Sequence, residues 1–480
     1  MIGAGALTRA ALFLALTIMF ASFASANGIE TYGQALKLAI ENNPSLSGSY
    51  FDFASSRERV DVVRGELRPS VDLLAIEGRE ERQTPTANFG RFDRSDVKFT
   101  VTQLLFDGRA TRDRLEAAEF EARRDFQAHL RATETAALEL TVTYLDVVLF
   151  QRLLDFAERN YVAHRDIANK IELRVEAGPG KGVDLDQVMA RLALAESNVL
   201  TEATNLHDME AELQRITGAR VTSNRLPLPM MPPELVGESR EDVLRRALDR
   251  SPRVRQYTEA LWAVSADRDA SRGAFFPRID LQYRHEQSNN LEGNLGEFTT
   301  EALELVFNYN FYRGGSDRAE RRALNNRYFS AIEARNQACW DTRREVLIAY
   351  NDANVLETQI EYLTRQLESQ SSAQVGYQDE FDINARSLLD LLDSQNEVFD
   401  TQRALIRAQT GLIAARAKAL AESGELVSNF GVNITRPMTD EWAWEPNKGR
   451  LFDVCPSEST NAVDIDFEDI YDRVNRSGER

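Results

Sequence analysis

The sequence predicts an α+β protein of two internal repeats, each joining a pair of β-strands to very long coiled-coil helices. Three observations carry that prediction. First, the 480 residues repeat once: Ala35-Leu36, Ala39 and Asn43-Pro44 return as Val243-Leu244, Ala247 and Ser251-Pro252 at a shift of 208. Gly65, Pro69, Val71 and Leu73 return as Gly273, Pro277, Ile279 and Leu281 at the same shift, while Asp107-Gly108 meets Arg313-Gly314 and Tyr144 meets Tyr350 at 206. A period that long exceeds any solenoid module and means two equivalent halves. Second, Ala110 to Ala177 and Ser316 to Val375 contain neither proline nor glycine, as long helices require. Third, apolar residues recur every seven positions in the returning helices, as Leu392, Phe399, Ile406, Ile413 and Leu420 beside Leu391, Val398, Leu405, Leu412 and Ala419. A period of 3.5 sustained over that distance demands a left-handed supercoil of paired helices.

The elements follow in order. Residues 1–26 read as a cleaved signal peptide, with Arg9, an apolar core from Ala10 to Phe20 too short to span a bilayer, and a small-residue site ending at Ala26. No cysteine stands at that site to take a lipid, and no later run of about 18 apolar residues exists, so membrane insertion, if any, falls to strands. The first repeat covers 27–226, with a short helix ending at Asn43-Pro44, a strand pair at about 69–106, and helices at about 110–177 and 183–218. In the latter Val188, Leu192, Ala195, Val199, Leu206, Met209, Leu213 and Ile216 step by threes and fours. A Pro-rich linker, 227–238, leads to the second repeat, 239–430, with a strand pair at about 277–312 and helices at about 316–376 and 387–422. An acidic tail, 431–480, closes the chain; Asp464, Asp466, Glu468, Asp469 and Asp472 read as solvated charge.

Alternation with period 2 marks the strands. In Leu303–Phe311 the odd positions are apolar or aromatic and the even positions include Asn308 and Asn310; Ile279–Arg284 and Val97–Thr102 alternate likewise. Polar residues on one face suit a wet lumen and aromatics on the other suit lipid, but a half-buried soluble sheet alternates in the same way, so both stay open. Four strands per chain are too few to close a transmembrane barrel, whereas two copies supply 8 and three supply 12.

Composition removes other classes. A formal charge of −19 disfavours nucleic-acid binding, and two cysteines with four scattered histidines offer no metal or iron–sulfur ligand set. The Gly178-Pro179-Gly180-Lys181-Gly182 run lacks the Ser or Thr and the preceding strand of a phosphate loop and reads as a turn between helices. No nucleophile–base constellation is present, so a non-enzyme without cofactor or metal is expected.

The repeated order of short helix, Asn-Pro, strand pair, Leu-Phe-Asp-Gly and helical hairpin resembles the TolC-type outer-membrane channel family over roughly residues 28–430. The stretch Phe381-Asp-Ile-Asn-Ala-Arg386-Ser-Leu-Leu-Asp390-Leu-Leu-Asp393-Ser-Gln-Asn-Glu397 is similar to the second helical turn of the type I secretion branch; Ala177–Arg191 is its first-half counterpart. The resemblance implies a homotrimer with a 12-stranded transmembrane β-barrel in outer-membrane lipid of a Gram-negative bacterium, and an α-helical tunnel through the periplasm. It further implies docking on an inner-membrane ATP-driven transporter and a periplasmic adaptor, with export of a protein such as a large repeat adhesin. A duct for drugs or other small molecules is the alternative inside the family; a periplasmic coiled-coil structural or adaptor protein is the alternative outside it.

The resemblance also names site residues. Asp390 and Asp393, at i and i+3 on one helix face, match acids that ring the narrow periplasmic entrance, and Asp184 and Arg386 match positions at the gate. Where the family has Gly-Gln before that arginine, this chain has Asn384-Ala385, which places the shape of the tip on Asn384 taking a left-handed backbone. Cys339 and Cys455 would both stand in an oxidising compartment, so a disulfide pinning the tail to the tunnel and a pair of free thiols are the two options.

Overall fold

The computed structural model describes residues 28–86, 88–178, 180–231, 239–432, 455 and 465–478. The expected leader, most of the linker and most of the tail lie outside the described residues. Helix α1 (Tyr32–Asn42) starts from a capping box in which the Thr31 hydroxyl accepts from the Gln34 N–H while the Gln34 side chain accepts from the Thr31 N–H. Asn43 then ends α1 and caps α2 (Pro44–Gly65), accepting from Ser45 N–H at 2.9 Å, with Pro44 in the first helical position where its missing donor costs nothing. The second repeat copies the device: α5 (Arg240–Arg250) stops at Ser251, and α6 (Pro252–Ala270) begins on proline.

Strands β1 (Ser70–Gln83), β2 (Asn88–Phe106), β3 (Arg278–Asn289) and β4 (Glu297–Asn308) form one antiparallel sheet in that order. The two hairpins join across the repeats through β2 and β3, with Val101 opposite Tyr283 and Thr100 opposite Arg284. Register places Val71, Val101, Tyr283 and Leu303 in one row and Asp72, Thr100, Arg284 and Ala302 in the next, so an apolar row alternates with a largely polar one. Leu303 is 73% exposed, and among the described residues β1 and β4 have no outer partner. The second strand pair ends four residues short of the expected 312. Asn310 accepts from the Tyr312 N–H at 3.0 Å in a side-chain-closed turn, which takes Tyr309 to Tyr312 out of the ladder despite their alternation.

Two rods of 67 residues, α3 (Ala110–Glu176) and α7 (Ser316–Asp382), descend from the sheet, each about 100 Å long at 1.5 Å per residue. Helices α4 (Gly182–Thr217) and α8 (Leu388–Ser423) return beside them. Rod α7 runs six residues past the expected 376, because Gly376 sits in open space and one glycine costs a long helix only about 1 kcal/mol. The heptad positions pack as their period requires: Leu391, Leu392, Val398, Phe399, Ile406 and Leu420 are buried on α8, as are Val188, Leu192, Ala195 and Leu213 on α4.

The largest core gathers where α1, α5 and α9 (Leu426–Asn429) wrap the middle of the rods, bringing Ile29, Leu36, Leu140, Tyr144, Leu213, Leu244, Val346 and Leu426 together. A second core lies near the far ends of the hairpins, around Ile167, Ile171, Val188, Leu192, Phe381, Leu391 and Leu392. The tail contains a helix, α10 (Phe467–Gly478), where plain solvated charge is expected from the acidic run. Because Leu140 is fully buried at mid-rod, Leu140→Ala should cost about 2–5 kcal/mol, read as a lower denaturation temperature by circular dichroism in detergent.

Candidate functional site

The two helical turns at the end of the rods are built from caps. At the α7–α8 turn, Ala385 N–H donates to Glu380 O at 2.8 Å and Asn384 N–H to Phe381 O at 3.0 Å, the pair of bonds that ends a helix on a left-handed residue. Asn384 takes that position with φ of 60°, which asparagine tolerates best among non-glycine residues. At the α3–α4 turn, Gly180 N–H donates to Arg174 O at 3.0 Å, and a Cβ on Gly180 would lie 2.6 Å from Val175 N, so only glycine fits. Ser387 caps α8 by accepting from Asp390 N–H at 3.2 Å, and Lys181 occupies the cap position of α4.

These caps make Asp184 and Asp390 equivalent, since each is the third residue of its ascending helix, where the positive end of the helix dipole favours a carboxylate. Arg386 turns back into its own hairpin. Its Nε donates to Glu380 at 2.8 Å, its Nη1 lies 4.0 Å from Asp390, and its guanidinium stacks 4.5 Å from the Tyr377 ring centroid. No ion pair of Asp184 occurs among the described residues, and Arg386 does not reach the first repeat. Asp390, half-buried, and Asp393, exposed, share one face of α8, but Asp393 lies 3.5 Å from Arg191 of α4.

Besides Arg191–Asp393, the two hairpins are linked through residues to which the motif gives no role. Lys170 on α3 pairs with Asp382 on α7 at 3.1 Å, and that bond holds the Asp382 carboxyl below its usual range. Arg403 on α8 pairs with the buried Glu202 of α4 at 2.9 Å, and Arg174 lies over the buried ring of Phe381 at 4.8 Å. Nothing in the sequence pairs residues more than 200 positions apart, so only the alignment of the rods exposes these links. Cys339 and Cys455 are bonded to each other, with Cα atoms 5.5 Å apart, across 116 residues of chain.

The profile of the outer membrane efflux protein family matches residues 35–219 and 243–422, once per repeat. The chain belongs to that family. As a family member it is an outer-membrane efflux channel protein that extends into the periplasm, and not an enzyme. It is similar to the outer membrane efflux protein BepC of Brucella suis biovar 1, at 23% identity over 91% of this chain and 94% of that one. It is similar as well to the outer membrane protein TolC of Vibrio cholerae, at 21% identity over 86% of this chain and 97% of that one. Its fold matches the crystal structure of the Vibrio cholerae outer membrane protein VceC with a TM-score of 0.73 at 13% identity, over 82% of this chain and 96% of that one. Among the described residues no helix is long and apolar enough to cross a membrane.

Another group at mid-rod escapes sequence reasoning. Glu134 of α3 is 3% exposed, and its Oε2 accepts the Leu426 N–H at 3.1 Å, tying α3 to α9. Burial pushes its carboxyl up to about 8; bonds from the Val427 and Leu426 N–H groups oppose that rise, and the charge of Glu425 adds to it. The folded state therefore holds a proton that the unfolded chain releases near its ordinary value of 4.5. Stability falls as pH rises from about 4.5 to about 8 and then levels off. Glu134→Gln removes that loss, so the gain in denaturation temperature over the parent should grow from pH 5 to a plateau above about pH 8.

Proposed function

We propose that three copies assemble into one exit duct, with four strands from each closing a 12-stranded barrel and the rods forming a continuous tunnel toward the inner membrane. The observation that carries this reading is the sheet itself, with four strands, two open edges and an exposed apolar row, which cannot rest in lipid until other copies satisfy β1 and β4. The duct would receive cargo from an inner-membrane ATP-driven transporter through a periplasmic adaptor. The native mass of the detergent-extracted protein from the outer-membrane fraction should equal three chains; a monomer in the soluble periplasm overturns the assembly.

At the tip, Asp390 and Asp393 of each copy would ring the entrance, and Lys170–Asp382 and Arg191–Asp393 would hold the hairpins closed while Arg386 stiffens the second turn. Asp390→Asn with Asp393→Asn should lower the preference for cations over anions and weaken block by divalent cations in planar bilayers. Unchanged selectivity and block would remove the acids from the entrance.

For cargo, the similarity of Phe381–Glu397 to the type I secretion branch supports export of a protein such as a large repeat adhesin. The name of BepC as an efflux protein favours the second reading, a duct for small molecules. Deleting the gene and assaying secreted protein beside drug susceptibility separates the two.

A further inference from the structure

The C-terminal arm is not part of the two-repeat plan, yet it is attached to the tunnel wall at two points. Cys455 is bonded to Cys339 on α7, among the mid-rod core. Lower down, the Phe467 ring of α10 meets the Tyr362 ring edge-to-face at 5.5 Å, with Arg365 stacked 4.7 Å from the same Tyr362 ring. The 23 residues between Cys339 and Tyr362 put these anchors about 35 Å apart along the rod, and the 12 residues from Cys455 to Phe467 reach at most about 40 Å, enough to span them.

Helix α10 is shaped for a partner. Phe467, Ile470, Tyr471 and Val474 fall at i, i+3, i+4 and i+7, one apolar stripe, and Tyr471 is 67% exposed. A bilayer is not the partner. Tyr362 lies 46 residues below the start of α7, about 70 Å from the sheet, far beyond any lipid around the barrel.

The surroundings point to another copy of this chain. Rod α7 packs chiefly on α5, α6 and α8, and it follows β4, so it continues the open edge of the protomer. It exposes Ile348 and Val355 at seven-residue steps above Tyr362, the residue on which Phe467 rests, which is the spacing of a coiled-coil seam. The opposite edge of the protomer is α4, which packs chiefly on α3 and α1 and exposes Leu194 and Leu200, the latter 71% bare. Bonds from Gln366 to Thr401 at 3.2 Å and from Arg403 to Glu202 at 2.9 Å put Tyr362 and Leu200 at nearly the same height on the tunnel. Where the edges of two copies meet, α10 of one and the bare Leu200 of the other would lie at the same level.

We propose that the C-terminal arm is an inter-subunit clasp, pinned to α7 through Cys339–Cys455 and packing Ile470, Tyr471 and Val474 of α10 on the α4 edge of the neighbouring copy. It rests on the reading of the chain as a closed assembly of identical copies. The test uses the full chain carrying Tyr471→p-benzoyl-phenylalanine, irradiated in cells and after detergent extraction, beside a native mass measurement of the same sample. The clasp predicts a covalent product of two chain masses whose joined peptide comes from α4, around Leu200. It also predicts that Ile470→Asp lowers the temperature at which the assembly separates into single chains. A native trimer in which Tyr471 joins only its own chain or a different protein overturns the clasp and leaves the channel reading intact. An extracted monomer overturns both.

Discussion

An unpaired strand edge carries a row of N–H and C=O groups, and in hydrocarbon each one left without a partner costs several kcal/mol. The rest of this structure depends on that constraint. The four strands satisfy one another internally across the repeat boundary, from β1 to β4, and among the described residues stop with both outer edges free. The apolar row of that sheet lies exposed as well, so the sheet is incomplete on its own. The helices inherit the same incompleteness, since α7 continues the β4 edge and leaves Ile348 and Val355 exposed among the described residues.

Length sets the second requirement. A rod of about 100 Å has little core of its own, so its apolar surface must be covered by partners along its height. Most of that cover is concentrated at two levels. At mid-height the short helices wrap α3 and α7 around Leu140, Tyr144 and Val346; near the tip Phe381 and its neighbours join the two hairpins. Between them the coiled-coil pairing carries the helices, with charged links such as Arg403–Glu202 at the crossings. Exposed pairs near the tip, such as Lys170–Asp382, are worth at most about 1 kcal/mol each and are weak enough to exchange, as the proposed entrance requires. The buried Glu134 is different in kind: with its Oε1 unpartnered among the described residues, it makes the middle of the rod sensitive to pH.

Much of this was legible in the residues. The repeat, the long helices and the returning heptads depend on local periodicity and on the absence of proline, and both act through the backbone of the element that contains them. The left-handed turn at Asn384 was legible for the same reason. The end of β4 was not: Tyr309 and Phe311 keep the alternation of a strand, but the local turn around Asn310 competes with the ladder and prevails. Arg386 was legible as a residue of the tip, but not its partners, because Glu380 and Tyr377 come within reach only after the turn closes.

By itself, then, the sequence determined the period and length of each element, the two-fold internal repeat and the identity of the family, all of which are written in spacing along the chain. Only the tertiary structure decided which side chains meet across the hairpins, as with Lys170 and Asp382 or Arg191 and Asp393, and that Glu134 is buried beneath α9. These depend on the relative heights of rods about 100 Å long, and a shift of one helical turn, about 5.4 Å, would exchange every partner while leaving every local pattern unchanged.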